Sequence, residues 1–296
     1  MVANATRWFS HFLRRVAAIP IKAALRDPRC WLPGLAPTLA TRFWSEAPPG
    51  IEPAAYTTAA WLALPQQAAR LPPIARLEFA GLTLSIEEAE PIVADRLAEN
   101  GLSLASSAEA SATIEALCAG LACLARLPSL SATVAAMVRS IHVLAPAAAG
   151  FDISHSDPAI PFSIFLSVPT GEEHCAWRTA ESLVHEAMHL QLTLIERDVP
   201  LVRADTEEFG YSPWQSHARP LQGLLHGLYV FRVIDQMFAL AEVTFAGDQA
   251  TRRFIGKRRR EIAAEIKAVV PLADARGLTT RGALFARHLL GHALSF

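Results

Sequence analysis

The stretch from residue 176 to residue 197 constrains the fold most, because a strongly helical pattern there contains three polar side chains of one motif. Apolar residues surround His185, Glu186 and His189 on most sides of the predicted helix, so the helix is expected to be buried. Positions i and i+4 share a helix face, so His185 and His189 can bind one metal ion. Burying such groups without partners would cost about 2–7 kcal/mol for each. The stretch therefore predicts a buried metal-binding helix rather than a chance pair of core histidines.

Two carboxylates accompany this histidine pair. Glu186 follows His185 directly, about 100° further round the helix, which places it beside the open side of a bound ion. There it can act as a base or orient a water molecule. Glu181 lies one turn before His185 and is expected to accept the second ring N–H of a ligating histidine.

A second long helix is predicted from Arg219 to about Phe245. Gly223 and Gly227 lie on either side of His226 in this helix, and each costs about 1 kcal/mol relative to alanine. Their presence favours the close approach of another helix or a ligand, so His226 is predicted to face the motif helix as the third metal ligand. Arg219 lies seven residues before His226, nearly two turns, and is expected to point the same way. Its guanidinium is suited to binding a carboxylate through two hydrogen bonds.

The remainder of the chain predicts an α+β fold that is mainly helical. Residues 1–135 are typical of helices with Pro-rich breaks and are interpreted as an N-terminal helical subdomain. Residues 136–296 are interpreted as a metal-binding catalytic domain, with one continuous domain as the alternative. The segments 140–144, 151–156 and 162–168 carry β-branched and aromatic residues between turn signals. They predict a small antiparallel sheet beside the motif helix.

Composition argues against several classes of partner. The chain has 296 residues and a net charge of −1, and its one dense basic run, residues 252–260, is followed by acidic residues, so nucleic acid is not an expected partner. No uninterrupted apolar run approaches the roughly 20 residues that span a bilayer, so membrane contact is not expected either. The four cysteines form no C-x-x-C pair and no secretory signal is evident, which together predict a reduced, cytoplasmic protein.

The motif by itself predicts a zinc peptidase. In that chemistry the metal activates a water molecule, and Glu186 takes its proton before attack on a peptide carbonyl. The third ligand would be His226, Glu207 or Glu208. The chain lacks the His-x-x-Gly-x-x-His continuation of the metzincins. A metal-free structural or peptide-binding module is a further possibility.

A larger ordered pattern favours a different chemistry. It comprises residues 154–161, 181–189, 211–214, 219–221 and 223–227. In this order the segments resemble the HExxH-type peptide-modification proteins of ribosomally made, post-translationally modified peptides, a family understood as iron(II)- and 2-oxoglutarate-dependent peptide β-hydroxylases. The resemblance covers about residues 140–235 and implies hydroxylation of a β-carbon in a precursor peptide, with dioxygen and 2-oxoglutarate as co-substrates.

The resemblance also implies roles for individual residues. It makes His185, His189 and His226 the ligands of Fe(II), a set that departs from the common two-histidine, one-carboxylate triad but suits iron. Arg219 is the candidate for the distal carboxylate of 2-oxoglutarate, a role that rests on helix geometry. Glu186 would then orient a ligand, a water molecule or the substrate amide. Gln215 stands where the family pattern leads us to expect a basic residue.

Overall fold

The computed structural model describes residues 21–48, 51–62, 71–88, 90–146, 152–245 and 248–291. The α+β, mainly helical class predicted from sequence is confirmed. In chain order the helices are α1 (Ile21–Ala24), α2 (Ala36–Ser45), α3 (Thr58–Leu62), α4 (Pro91–Ala98), α5 (Ser107–Ala112), α6 (Ile114–Ala125), α7 (Pro128–Met137), α8 (Cys175–Asp198), α9 (Leu221–Thr244), α10 (Gln249–Ala268) and α11 (Thr280–Leu289). The strands are β1 (Ala75–Phe79), β2 (Leu82–Ile86), β3 (Ser140–Val143), β4 (Ser154–His155), β5 (Ser163–Leu166), β6 (Phe209–Ser212) and β7 (His217–Pro220).

The larger sheet is mixed, and the prediction that its last three strands are antiparallel is wrong in part. Its strand order is β1-β2-β3-β5-β4. The central strands β2, β3 and β5 are parallel to one another, and the edge strands β1 and β4 are antiparallel to them. β4 follows β3 in the chain but pairs outside β5, which brings β3 and β5 together as parallel neighbours. All residues of β3 and β5 are buried, as is typical of strands covered on both faces.

The helix α8 carries the histidine motif through the centre of the protein. Its limits agree with the predicted helix at 176–197 to within one residue at each end. Helices α6, α7 and α9 and the strands β4 and β5 all pack against it. The contact with α6 is close at Gly120, where an added Cβ would lie 2.7 Å from Cγ2 of Thr179. The motif is therefore presented from a helix that is enclosed on several sides.

The second long helix, α9, begins two residues later than predicted. Arg219 and Pro220 belong to β7, where Arg219 pairs with Gly210 of β6, and Leu221 is the first helical residue. The reason is local: a residue that precedes proline is disfavoured in the helical region and stays extended. Arg219 therefore reaches the site from a β-hairpin and not from the first turn of the helix.

The sheet and the core both continue across residue 135. Strand β2 pairs with β3, and one hydrophobic cluster contains side chains from before and after residue 135.

By length and composition, α9 is the one helix in the described part of the chain that could cross a membrane, although more than half of its most apolar stretch is buried inside the protein.

Candidate metal centre

The two motif histidines lie side by side on α8. The Nε2 atoms of His185 and His189 are 3.2 Å apart. Two imidazole ligands at about 2.0–2.1 Å from a tetrahedral ion are separated by roughly 3.3–3.4 Å. The pair is thus spaced as two ligands of one ion are spaced. Helical periodicity, the signal used for the prediction, is sufficient to bring them together.

His226 of α9 contacts the same pair from the facing helix. Its Nδ1 lies 3.1 Å from Nδ1 of His189, and the two rings are stacked at 5.3 Å between centroids. The three rings form a chain with His189 in the middle, because His189 meets His185 through Nε2 and His226 through Nδ1. Within the described ranges, no three His, Cys, Asp or Glu side chains already converge as ligands of one ion. Binding by all three histidines requires His189 or His226 to turn.

Glu196 forms a hydrogen bond with His226, one of these three histidines, and was not among the residues predicted from the sequence. Its Oε2 accepts hydrogen bonds from Nε2 of His226 at 3.0 Å and from Nε2 of Gln222 at 2.9 Å. Glu196 lies two turns after His189 on α8, so the same periodicity that paired the histidines also placed it on their face. Sequence alone did not show which way the facing helix would turn His226.

The expectation for Glu181 is not met. Its Oε1 accepts from Nε and Nη2 of Arg258 on α10, at 2.9 and 2.8 Å. Burial raises the pKa of Glu181, and the adjacent Arg258 guanidinium opposes that shift. In a buried position, a charged guanidinium binds a carboxylate more strongly than a neutral imidazole N–H does. Arg258 comes from a distant part of the chain, so spacing along α8 could not reveal it.

Burial favours the neutral form of His185 and His189, the form in which an imidazole binds a metal ion. Burial, together with the positive charge of Arg258, lowers the pKa of His185 to about 4. Burial likewise lowers the pKa of His189 to about 3, with the neighbouring His185 as the next cause. His185 still keeps 25% of its side chain exposed, so the cluster is open on that side.

Glu186 is almost fully buried, at 2% exposure, beside the histidine pair. Its Oε1 is 3.8 Å from Nε2 of His185, which is too long for a direct hydrogen bond. The gap is compatible with a carboxylate that acts on a ligand or water of the ion. The two acidic alternatives for a third ligand are placed elsewhere, since Glu208 accepts the backbone N–H of Gly277 at 2.8 Å and Glu207 is exposed.

Arg219 lies next to the cluster although its backbone is not helical. Its guanidinium covers Gly223, where an added Cβ would meet Nε at 3.1 Å and Cζ at 3.2 Å. Its positive charge contributes to the lowered pKa of His189. In the described part of the chain, Arg219 forms no ion pair with a carboxylate. A cation is therefore available for an anionic ligand at this edge of the site.

An aromatic wall, made of Trp214 and Phe231, borders the cluster. The two rings stack at 5.1 Å with an angle of 7° between their planes, and Phe231 meets His185 edge-on at 5.4 Å. Gly227 makes this wall possible, because an added Cβ there would lie only 2.5 Å from Cε3 and Cζ3 of Trp214. Gly223 and Gly227 therefore make room for side chains of the β6–β7 hairpin, whereas the sequence predicted the approach of another helix or a ligand.

The donor set suits either iron(II) or zinc. Neutral imidazoles bind both metals, and nothing in the chemistry of three histidines separates the two. Comparison with protein-family models and with curated proteins gives no match to this chain.

Proposed function

We propose that the protein is an iron(II)- and 2-oxoglutarate-dependent oxygenase that hydroxylates the β-carbon of a residue in a ribosomally made precursor peptide. The observation that carries the proposal is the position of Arg219, a cation without a carboxylate partner among the described residues, beside the buried histidines of α8 and α9. The peptide substrate and the β-carbon come from the sequence resemblance.

His185, His189 and His226 would hold the ion. When bound, iron(II) with 2-oxoglutarate and dioxygen supplies the oxidising power for C–H hydroxylation, and 2-oxoglutarate leaves as succinate. Three neutral histidines leave the charge of a divalent ion uncompensated, which favours a doubly negative co-substrate. Three protein ligands also leave open positions for a bidentate 2-oxo acid and for dioxygen.

Arg219 would bind the distal carboxylate of 2-oxoglutarate. A guanidinium can donate two parallel hydrogen bonds to a carboxylate, which orients the co-substrate as well as attracting it. The lack of a competing carboxylate partner in the described part of the chain means that no existing ion pair has to be broken first. The aromatic wall limits water on the neighbouring side, where Phe231 packs against His185.

A zinc peptidase is the second candidate, and one observation favours it. Glu186 lies 3.8 Å from Nε2 of His185, where a carboxylate could take a proton from a metal-bound water. In the oxygenase the same carboxylate orients a ligand, a water molecule or the substrate amide. The two candidates therefore differ in whether the charge of Glu186 is essential for turnover.

Anaerobic reconstitution with iron(II) followed by 2-oxoglutarate tests the oxygenase directly. We expect a metal-to-ligand charge-transfer band in the visible and, on admitting air, release of succinate. His226→Ala should lose the band. Arg219→Gln should keep iron binding but weaken 2-oxoglutarate by about 10- to 100-fold, because a hydrogen bond to a charged group contributes about 1.5–3 kcal/mol. Arg253→Gln, at an exposed position of α10, is the matched control and should change neither.

The opposite result would select the peptidase. Tightly bound zinc, no charge-transfer band and no succinate would exclude the oxygenase. Peptide hydrolysis that disappears in Glu186→Gln, with zinc still bound, would then establish the second candidate. A protein that binds neither metal, and whose activity is unaffected by His185→Ala, would leave only the metal-free module.

A further inference from the structure

We infer that Glu196 is a positioning residue that presents Nδ1 of His226 to the metal ion. The inference rests on the metal site of the proposed function and not on its reaction, so it applies equally to an oxygenase and to a peptidase. Its experiment uses zinc binding and histidine tautomers, which can succeed or fail independently of turnover.

The hydrogen bonds around His226 define which ring nitrogen is available. Nε2 of His226 lies 3.0 Å from Oε2 of Glu196, and a carboxylate can only accept. The single proton of a neutral imidazole is therefore on Nε2, and the lone pair is on Nδ1. Nδ1 is the atom that faces His189, at 3.1 Å. The nitrogen left free by Glu196 is thus the one directed at His189, the middle ring of the three.

A second residue holds the carboxylate in place. Nε2 of Gln222 donates to the same Oε2 of Glu196 at 2.9 Å. Gln222 precedes His226 by one turn of α9, so both side chains reach across to Glu196 on α8 from the same helix face. The side chains of His226 and Glu196 are only 14% and 13% exposed, so water competes little for the bond between these two residues.

This arrangement assigns different donor atoms to the histidines. His185 offers Nε2, the atom that already faces its partner on α8, whereas His226 offers Nδ1. Because Glu196 restrains His226, the ring that turns when all three bind one ion is His189. Glu181, the other carboxylate on this side of α8, cannot substitute for Glu196 because Arg258 occupies it.

Zinc affinity measured by competition with a chromophoric chelator is the first test. Loss of a carboxylate that orients a histidine ligand typically weakens metal binding by about 10- to 100-fold, so we expect that loss for Glu196→Gln. Glu196→Asp, which keeps the charge on a shorter side chain, should recover part of it. Glu181→Gln is the matched control on the same helix and should stay within about threefold of wild type, since Glu181 contacts Arg258 and no histidine. Far-UV circular dichroism would verify that each variant is folded.

Nitrogen NMR of the histidine rings in the zinc-loaded protein is the second test, and a purely structural role would not give its result. We expect one ring, assigned by its absence in His226→Ala, to carry its proton on Nε2 and to bind zinc through Nδ1. His185 should show the reverse pattern. The measurement uses wild-type protein, so it does not depend on the folding of a Glu196 variant.

The outcomes separate the inference from the proposed function. Zinc binding by wild type with Nε2 of His226 coordinated, or with unchanged affinity in Glu196→Gln, overturns the role of Glu196 and leaves the metal site intact. A wild-type protein that binds no zinc or iron overturns both. Confirmed Nδ1 coordination without succinate release supports the inference while refuting the oxygenase.

Discussion

The two glycines of α9 that border the site should respond in opposite ways to the same substitution. Gly223→Ala and Gly227→Ala each replace a helical glycine, which stabilises a helix by about 1 kcal/mol. At Gly223 the new methyl group would meet the end of the Arg219 side chain at 3.1 Å, and this flexible group can move. At Gly227 it would meet two carbons of the Trp214 ring at 2.5 Å.

The expected magnitudes follow from these distances. An ordinary contact is 3.4 Å or more, so the Trp214 ring has to retreat from Gly227 by close to an ångström. Overpacking of this kind costs about 1–3 kcal/mol, part of it through lost stacking on Phe231. Set against the helical gain of about 1 kcal/mol, Gly227→Ala should lower the free energy of unfolding by up to about 2 kcal/mol. Gly223→Ala should raise it by about 0.4–1 kcal/mol.

Thermal and urea unfolding of the metal-free protein measure both changes. A shift of about 2–4 °C in Tm for each kcal/mol is expected for a chain of roughly this size. The decisive control removes the ring: in a Trp214→Ala background, Gly227→Ala should become stabilising by about 1 kcal/mol, because only the helical term remains. Equal stabilisation by both alanine substitutions in the wild-type background would refute the packing of Trp214 on Gly227.

Buried groups away from the three histidines lead to three more predictions. Burial raises the pKa of Glu181 above its ordinary value of 4.5, so wild type loses stability as the pH rises from that value through the raised pKa. The stability of Glu181→Gln relative to wild type should therefore increase over the same rise in pH, as urea titrations can measure. Gln191→Leu removes the hydrogen bonds that Gln191 makes to the Tyr229 hydroxyl and to the backbone carbonyl of Trp31. Each loss should cost about 1–3 kcal/mol, measured by urea unfolding. Cys118 is exposed and should react with a thiol reagent long before Cys30, whose pKa burial raises to about 11, as mass spectrometry can follow.

Each of these has a result that would contradict it. Parallel pH profiles for wild type and Glu181→Gln would mean that Glu181 does not titrate abnormally in the folded protein. Tyr229→Phe keeps the hydrogen bond from Gln191 to the backbone carbonyl of Trp31 and should cost less than Gln191→Leu, so equal losses would argue against the shared network. Rapid modification of Cys30 in the folded protein would contradict its burial.

The parts of the fold that depend on residues close in the sequence were predictable. The helix α8 was predicted at 176–197 and runs from Cys175 to Asp198. Periodic apolar residues define such helices, and the chain leaves α8 just before Pro200, which cannot continue a helix. The contact between His185 and His189 belongs to the same class, since one helical turn is enough to create it.

Pairings between distant segments were not predictable in the same way. Strand composition indicated β3, β4 and β5 but contained nothing about their order, because β-branched residues suit parallel and antiparallel neighbours alike. Arg219 was wrongly predicted to be helical. A residue before proline is disfavoured in the helical region, and this local rule accounts for its extended backbone. Its side chain nevertheless reaches Gly223, since the hairpin folds back over the start of α9.

The sequence by itself determined which histidines share a helix face, where the long helices run, and that glycines on α9 leave room for close contacts. Only the tertiary structure decided which carboxylate serves which partner. Glu181 and Glu196 are both on α8 within two turns of a motif histidine, and spacing does not distinguish them. The difference comes from the elements that pack against them: α10 brings Arg258 to Glu181, and α9 brings His226 to Glu196. The partner of each carboxylate lies on another helix, so it depends on tertiary contacts that a local sequence pattern does not predict.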